Sequence, residues 1–163
     1  MNSRDCDLTV LTFQLDRHKF ALPLTSVDRL VQAVEITELE QAPGVILGII
    51  NVHGSLVAVA DPGFRFGRPR CRAVDRDDLL ILARTPQHPV ALLVDHVEGV
   101  QTVSREQIAA APCWYESSGS TRKLLMDPDG LIIIFDLAEL LTAEDERALE
   151  KSIVRITDMN HAS

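Results

Sequence analysis

Apolar and polar positions alternate along much of this chain with a period of two, in short runs broken by Gly, Pro and Asp. From Leu8 to Leu15, Thr9, Leu11, Phe13 and Leu15 fall on one face, as in a half-buried strand. After a polar turn at 16–19, Phe20, Leu22 and Leu24 continue the pattern, and Pro23 points to a sheet edge or a strand end. Val27, Leu30, Val31 and Val34 instead fall at helical spacing behind Thr25 or Ser26 as a cap. Their β-branched content fits a short helix running into a strand equally well. Gly48–Val52 and Leu56–Ala60 are two β-rich runs around His53-Gly54, where Gly supplies the positive φ of a tight hairpin. Residues 78–83 and 90–94 form a second such pair, with the latter run continuing to Val100.

Ser104-Arg105-Glu106-Gln107 carries the pattern of a capping box and predicts a short helix that Pro112 ends. Residues 123–126 and 131–136 flank Asp127-Pro128-Asp129-Gly130, which fits a type I turn followed by a bulge. A helix is expected over 142–157. Thr142 can cap it, Glu144, Asp145 and Glu146 favour its first turn, and Leu149, Ile153 and Ile156 form a narrow apolar stripe. Seven to ten short strands with Gly and Pro turns predict a mainly β protein built as two small barrels side by side.

The 163 residues fit one ordinary domain or two small subdomains sharing a core. The net charge of −8 disfavours general affinity for nucleic acid. That charge is uneven: residues 1–75 hold 8 basic and 9 acidic side chains, the remainder 8 and 15. Cys6, Cys71 and Cys113 are widely spaced and odd in number, which fits reduced thiols rather than a disulfide framework or a zinc site. The longest apolar run, 45–50, is far below the roughly 20 residues of a membrane span, and no signal-like segment opens the chain. A cytoplasmic protein is expected. Residues 64–76 place Arg65, Arg68, Arg70, Arg72 and Arg76 among Gly and Pro, as in a solvated linker; a patch for nucleic acid, acidic lipid or an acidic protein is the alternative.

For chemistry, the available groups are Asp61, Asp95, Asp127 and Asp136, with His53, His88 and His96. Asp at strand ends and in turns ordinarily satisfies backbone N–H groups. There is no phosphate-binding Gly loop, nucleophile elbow or H-E-x-x-H pair. A catalytic or metal site is therefore not expected, nor a cofactor.

Gly48, Asn51, Gly54, Val57, Val59 and Asp61 match the pattern G-x-x-N-[LV]-R-G-x-[VI]-x-P-[VI]-x-[DN], and Val94, Asp95, Val97 and Val100 match [GA]-[LI]-x-V-D-x-V-x-x-V. On these residues, and on the apolar run 132–137 with its closing Asp136-Leu137, the chain resembles the CheW-type chemotaxis coupling proteins, whose domain also ends CheA-type histidine kinases. The resemblance covers Leu8 to Leu141. His53 stands where the family has Arg, Ala58 where it has Pro, Pro62 where it has an aliphatic residue, and Arg29 where it has Glu.

The resemblance implies two five-stranded SH3-like barrels sharing a hydrophobic core over 8–141. The first would cover about 16–75 and the second about 76–141, with the N-terminal strand as a candidate to complete it. It implies a non-catalytic adaptor between the cytoplasmic tip of a methyl-accepting chemoreceptor and the regulatory domain of a CheA-type histidine kinase, at membrane-associated arrays but without membrane insertion. Val27, Arg29, Gly48, Asn51, His53 and Leu56 are the residues it places at those contacts. Two other readings stand beside it: a nucleic-acid-binding barrel using the 65–76 arginines, and a small hydrolase using Asp61, Asp95 or Asp136.

Overall fold

The computed structural model describes residues 7–66, 73–85, 88–110, 123–128, 130–134 and 136–161. Cys6, Cys71, Cys113, Trp114, Tyr115 and residues 67–72 of the arginine-rich stretch, with Arg68, Arg70 and Arg72, lie outside the described residues. Two sheets carry the fold. One is five-stranded and runs β3 (Val27–Gln32), β6 (Leu79–Arg84), β7 (Pro89–Val94), β5 (Ser55–Ala60), β4 (Ile46–Val52). The other is six-stranded and runs β8 (His96–Ser104), β1 (Asp7–Leu15), β2 (His18–Pro23), β11 (Gly130–Ile134), β10 (Lys123–Asp127), β9 (Ile108–Ala110). The mainly β, two-subdomain architecture is thus the one expected, with a three-residue sixth strand, β9, added to one sheet.

The sheets do not follow a linear division near residue 76. Strands β6 and β7 join the five-stranded sheet, whereas β1 and β2 pair with β8 and β11 in the other. The physical reason is burial on two faces. In β6, Leu80 and Leu82 face the interior of the five-stranded sheet, while Ile81 and Ala83 face the core between the sheets. In β7 the same division separates Ala91 and Leu93 from Val90, Leu92 and Val94. Strands covered on both faces read as continuous apolar runs, which 79–83 and 90–94 are.

Three cores result. One fills the five-stranded sheet around Ile50, Val57, Val59 and Leu80. A second fills the six-stranded sheet around Val10, Ala21, Val103, Leu125 and Ile132. The third lies between the sheets and contains the stacked rings of Phe13 and Phe20, with centroids 5.9 Å apart. Closure of the five-stranded sheet is backbone-made: Thr37, beyond the end of β3, exchanges hydrogen bonds of 3.0 and 2.8 Å with Ile49 of β4.

Of the two helix expectations, the first resolves to its alternative of a short helix running into a strand, and the second is corrected. Residues 24–26 form a single 3-10 turn and 27–32 are strand, because Val27, Leu30 and Val31 pair with β6 rather than packing as a helix face. The box at 104–107 makes its backbone bond, Ser104 N–H to Gln107 Oε1 at 2.9 Å, but caps only one 3-10 turn before β9 begins.

The last helix, α1 (Ala143–His161), is capped reciprocally. Asp145 N–H donates to Thr142 Oγ1 at 3.0 Å, and Thr142 N–H donates to Asp145 Oδ2 at 3.1 Å. Leu149 is buried in the core between the sheets, with Ile153 packed against it. Ser152 Oγ lies 3.2 Å from the Glu40 carbonyl and 3.0 Å from that of Ala148. The first half of α1 is therefore part of the fold. The side chain of Ile156 lies outside the described residues.

Candidate functional site

The β4–β5 hairpin turns at His53-Gly54 with φ of 50° and 88°. Two successive positive φ values belong to the mirror-image turn whose twist matches antiparallel strands. Asn51 Oδ1 accepts from Gly54 N–H at 2.8 Å and fixes the turn, so His53 is held at its tip. On β3 the register shifts between Val27 and Arg29, and the bulge turns Asp28 toward β6, where Arg84 Nε donates to Asp28 Oδ2 at 3.0 Å.

These elements surround an open groove of about 670 Å³ to which all five strands of the sheet contribute. Val57 and Leu82, members of the sheet's interior core, reach its lining. Arg29, His53, Ser55 and Arg84 line it as polar groups. At its side His88 Nε2 stands 3.3 Å from Glu150 Oε1 of α1, so the groove and the helix meet at this residue.

The structure therefore brings together two of the six residues singled out from the sequence, Arg29 and His53. Leu56 is exposed on β5 but is not among the groove-lining residues. Val27 packs partly into the core between the sheets. Gly48 and Asn51 are used by the fold, Asn51 as the clamp of the turn and Gly48 as the crossing point of another segment. A methyl group on Gly48 would overlap the Thr37 carbonyl oxygen and lie 2.6 Å from Ile36 Cγ2. Arg84, Asp28 and His88 were not foreseen in this role. Finding them needs the β3–β6 register, which joins residues 56 apart in sequence.

Three of the four carboxylates considered for chemistry serve the backbone, and the side chain of Asp127 lies outside the described residues. Asp61 is buried and accepts from Gly63 N–H at 3.1 Å. Asp95 accepts from Asp16 N–H at 2.6 Å, and Asp136 accepts from Ala138 N–H at 3.0 Å as the cap of a 3-10 turn. Among the described residues no group of three or more His, Cys, Asp or Glu is placed to hold a metal ion. Among them, too, no helix is long and apolar enough to cross a membrane.

A family model described as the CheW-like domain matches residues 9–145, which spans both sheets and the start of α1. The chain belongs to the CheW-like family. Its relatives include the chemotaxis protein CheW of Thermotoga maritima, 25% identical over 133 residues, covering 79% of this chain and 83% of the relative. The chemotaxis protein CheW of Klebsiella aerogenes is 24% identical over 147 residues, covering 89% and 87%. The solved scaffolding protein CheW of Thermoanaerobacter tengcongensis superposes with a TM-score of 0.72 at 25% identity, covering 85% of this chain and 94% of that one. The CheW-like match includes the paired-sheet arrangement that places the groove, not only the motif at 48–61.

Proposed function

We propose that this CheW-like chain is a non-catalytic adaptor in a chemotaxis-type array, joining the cytoplasmic tip of a methyl-accepting chemoreceptor to the regulatory domain of a CheA-type histidine kinase. The observation that carries the reading is family membership across both sheets, together with Arg29 and His53 lining one open groove. Relatives named as chemotaxis and scaffolding proteins support it. In this reading the five-stranded subdomain meets the kinase, and the surface between the subdomains takes the receptor helix. Arg29, His53 and Leu56 make contacts, while Val27, Gly48 and Asn51 act by holding the strands in place. The protein works in the cytoplasm at membrane-associated receptor arrays.

Titration calorimetry against the regulatory domain of each CheA-type kinase from the same organism tests the proposal. Micromolar binding to one of them is expected. Absence of binding to every kinase domain and every receptor tip would refute the adaptor role. Because Arg29 and His53 depart from the family residues, the pair Arg29→Glu and His53→Arg should change affinity for the native kinase or receptor. Unchanged affinity for both would remove these residues from partner choice.

A further inference from the structure

The groove at the end of the five-stranded sheet combines an apolar lining with the exposed guanidinium of Arg29. Val57 and Leu82, buried at 6% and 7% exposure, close the floor of the groove where it meets the interior core. Of the carboxylates around it, Asp28 is engaged by Arg84 and Glu150 stands 3.3 Å from His88. No carboxylate among the described residues is in ion-pair contact with Arg29, which is exposed on β3 beside the bulge. His53 lines the same groove on a turn that Asn51 clamps, so this part of the polar rim is fixed before any partner arrives.

The rest of the molecule limits what such a rim can attract. At a net charge of −8 the protein repels polyanions at long range, so a nucleic-acid backbone gains little from one exposed arginine. A single carboxylate on a protein segment meets a much smaller barrier than a polyanion does, and a planar guanidinium binds it through two parallel N–H donors. A groove of about 670 Å³ has room for an aliphatic side chain beside that carboxylate.

We propose that this groove docks a partner-protein segment presenting an Asp or Glu next to an aliphatic side chain, with Arg29 as its ion-pair anchor and Val57 and Leu82 as its apolar floor. The inference deepens the adaptor reading and rests on it for the partner being a protein.

The test selects binders to the full-length chain from a displayed library of random twelve-residue peptides, then measures the selected peptides by calorimetry. Peptides enriched in Asp or Glu beside Leu, Ile or Val are expected. Arg29→Glu should weaken them about 10- to 100-fold, and Arg29→Lys should weaken them less. Lys123→Glu, the same charge change on the other sheet, should leave them unchanged. Selection of no peptides, of peptides without a carboxylate, or of peptides that Arg29→Glu binds equally well would overturn the proposal. A single-stranded oligonucleotide that displaces the peptides and binds more tightly would overturn it in favour of nucleic acid. Acid-selective peptides alongside failed kinase and receptor titrations would refute only the adaptor reading, and kinase binding with no acid selectivity would refute only this one.

Discussion

Replacing Gly48 with Ala should loosen the closure of the five-stranded sheet. The segment beyond β3 crosses Gly48 so closely that a methyl there overlaps the Thr37 carbonyl and sits 2.6 Å from Ile36 Cγ2. Since Thr37 O is backbone, no rotamer change relieves the clash, and residues 36–37 must move off β4. Two hydrogen bonds between Thr37 and Ile49 are then lost or stretched, at about 1 kcal/mol each. Partial withdrawal of Ile36 from the interior core adds about 1 kcal/mol. The sum is about 2–4 kcal/mol, or a fall in Tm of about 4–16 °C for a chain of this size.

Denaturant unfolding followed by circular dichroism measures the loss, and hydrogen exchange at the Thr37 and Ile49 amides locates it. A variant within about 0.5 kcal/mol of the parent, with those two amides still protected, would falsify the closure argument. If the argument holds, weaker partner binding by a Gly48 variant reports a displaced strand rather than a missing contact.

Three further changes probe the rest of the fold. Leu149→Ala removes a side chain that is 1% exposed in the core between the sheets and should cost about 2–5 kcal/mol by thermal or urea unfolding; a loss under about 1 kcal/mol would mean that α1 is not anchored there. Thr142→Ala deletes the cap oxygen at the start of α1 and should cost about 1 kcal/mol, read as a Tm lowered by about 2–4 °C; no change would make the cap irrelevant. Asp61→Ala strips the acceptor from Gly63 N–H in a buried turn and should cost about 1–3 kcal/mol. Undiminished stability together with loss of a hydrolytic activity would restore the enzyme reading.

Much of the local structure was legible because it rests on short-range chemistry. Period-two alternation located most of the strands, His53-Gly54 fixed the first hairpin through its φ requirement, and Thr142 with the following acids placed the start of α1. The capping box at 104–107 was legible as a hydrogen bond but not as a length, since strand pairing of β9 with β10 competes for the residues that would extend the turn. The spacing at 27–34 left a helix and a short helix running into a strand equally open, and the second was realised because β3 gains ladder bonds from β6, a partner some fifty residues away that spacing within 27–34 cannot register.

What the sequence determined alone was therefore the class of the protein, its turns and caps, and through resemblance its family. Tertiary structure decided which strands share a sheet, since an apolar run buried on both faces carries no mark of which neighbours cover it. It also decided which exposed residues meet. Resemblance places Arg29 and His53 in one set of contact residues, without a geometry that relates them. The bulge in β3, the clamped turn of β4–β5 and the pairing of Asp28 with Arg84 make them the rim of one groove. Those relations are long-range, and they exist only once the sheets have closed.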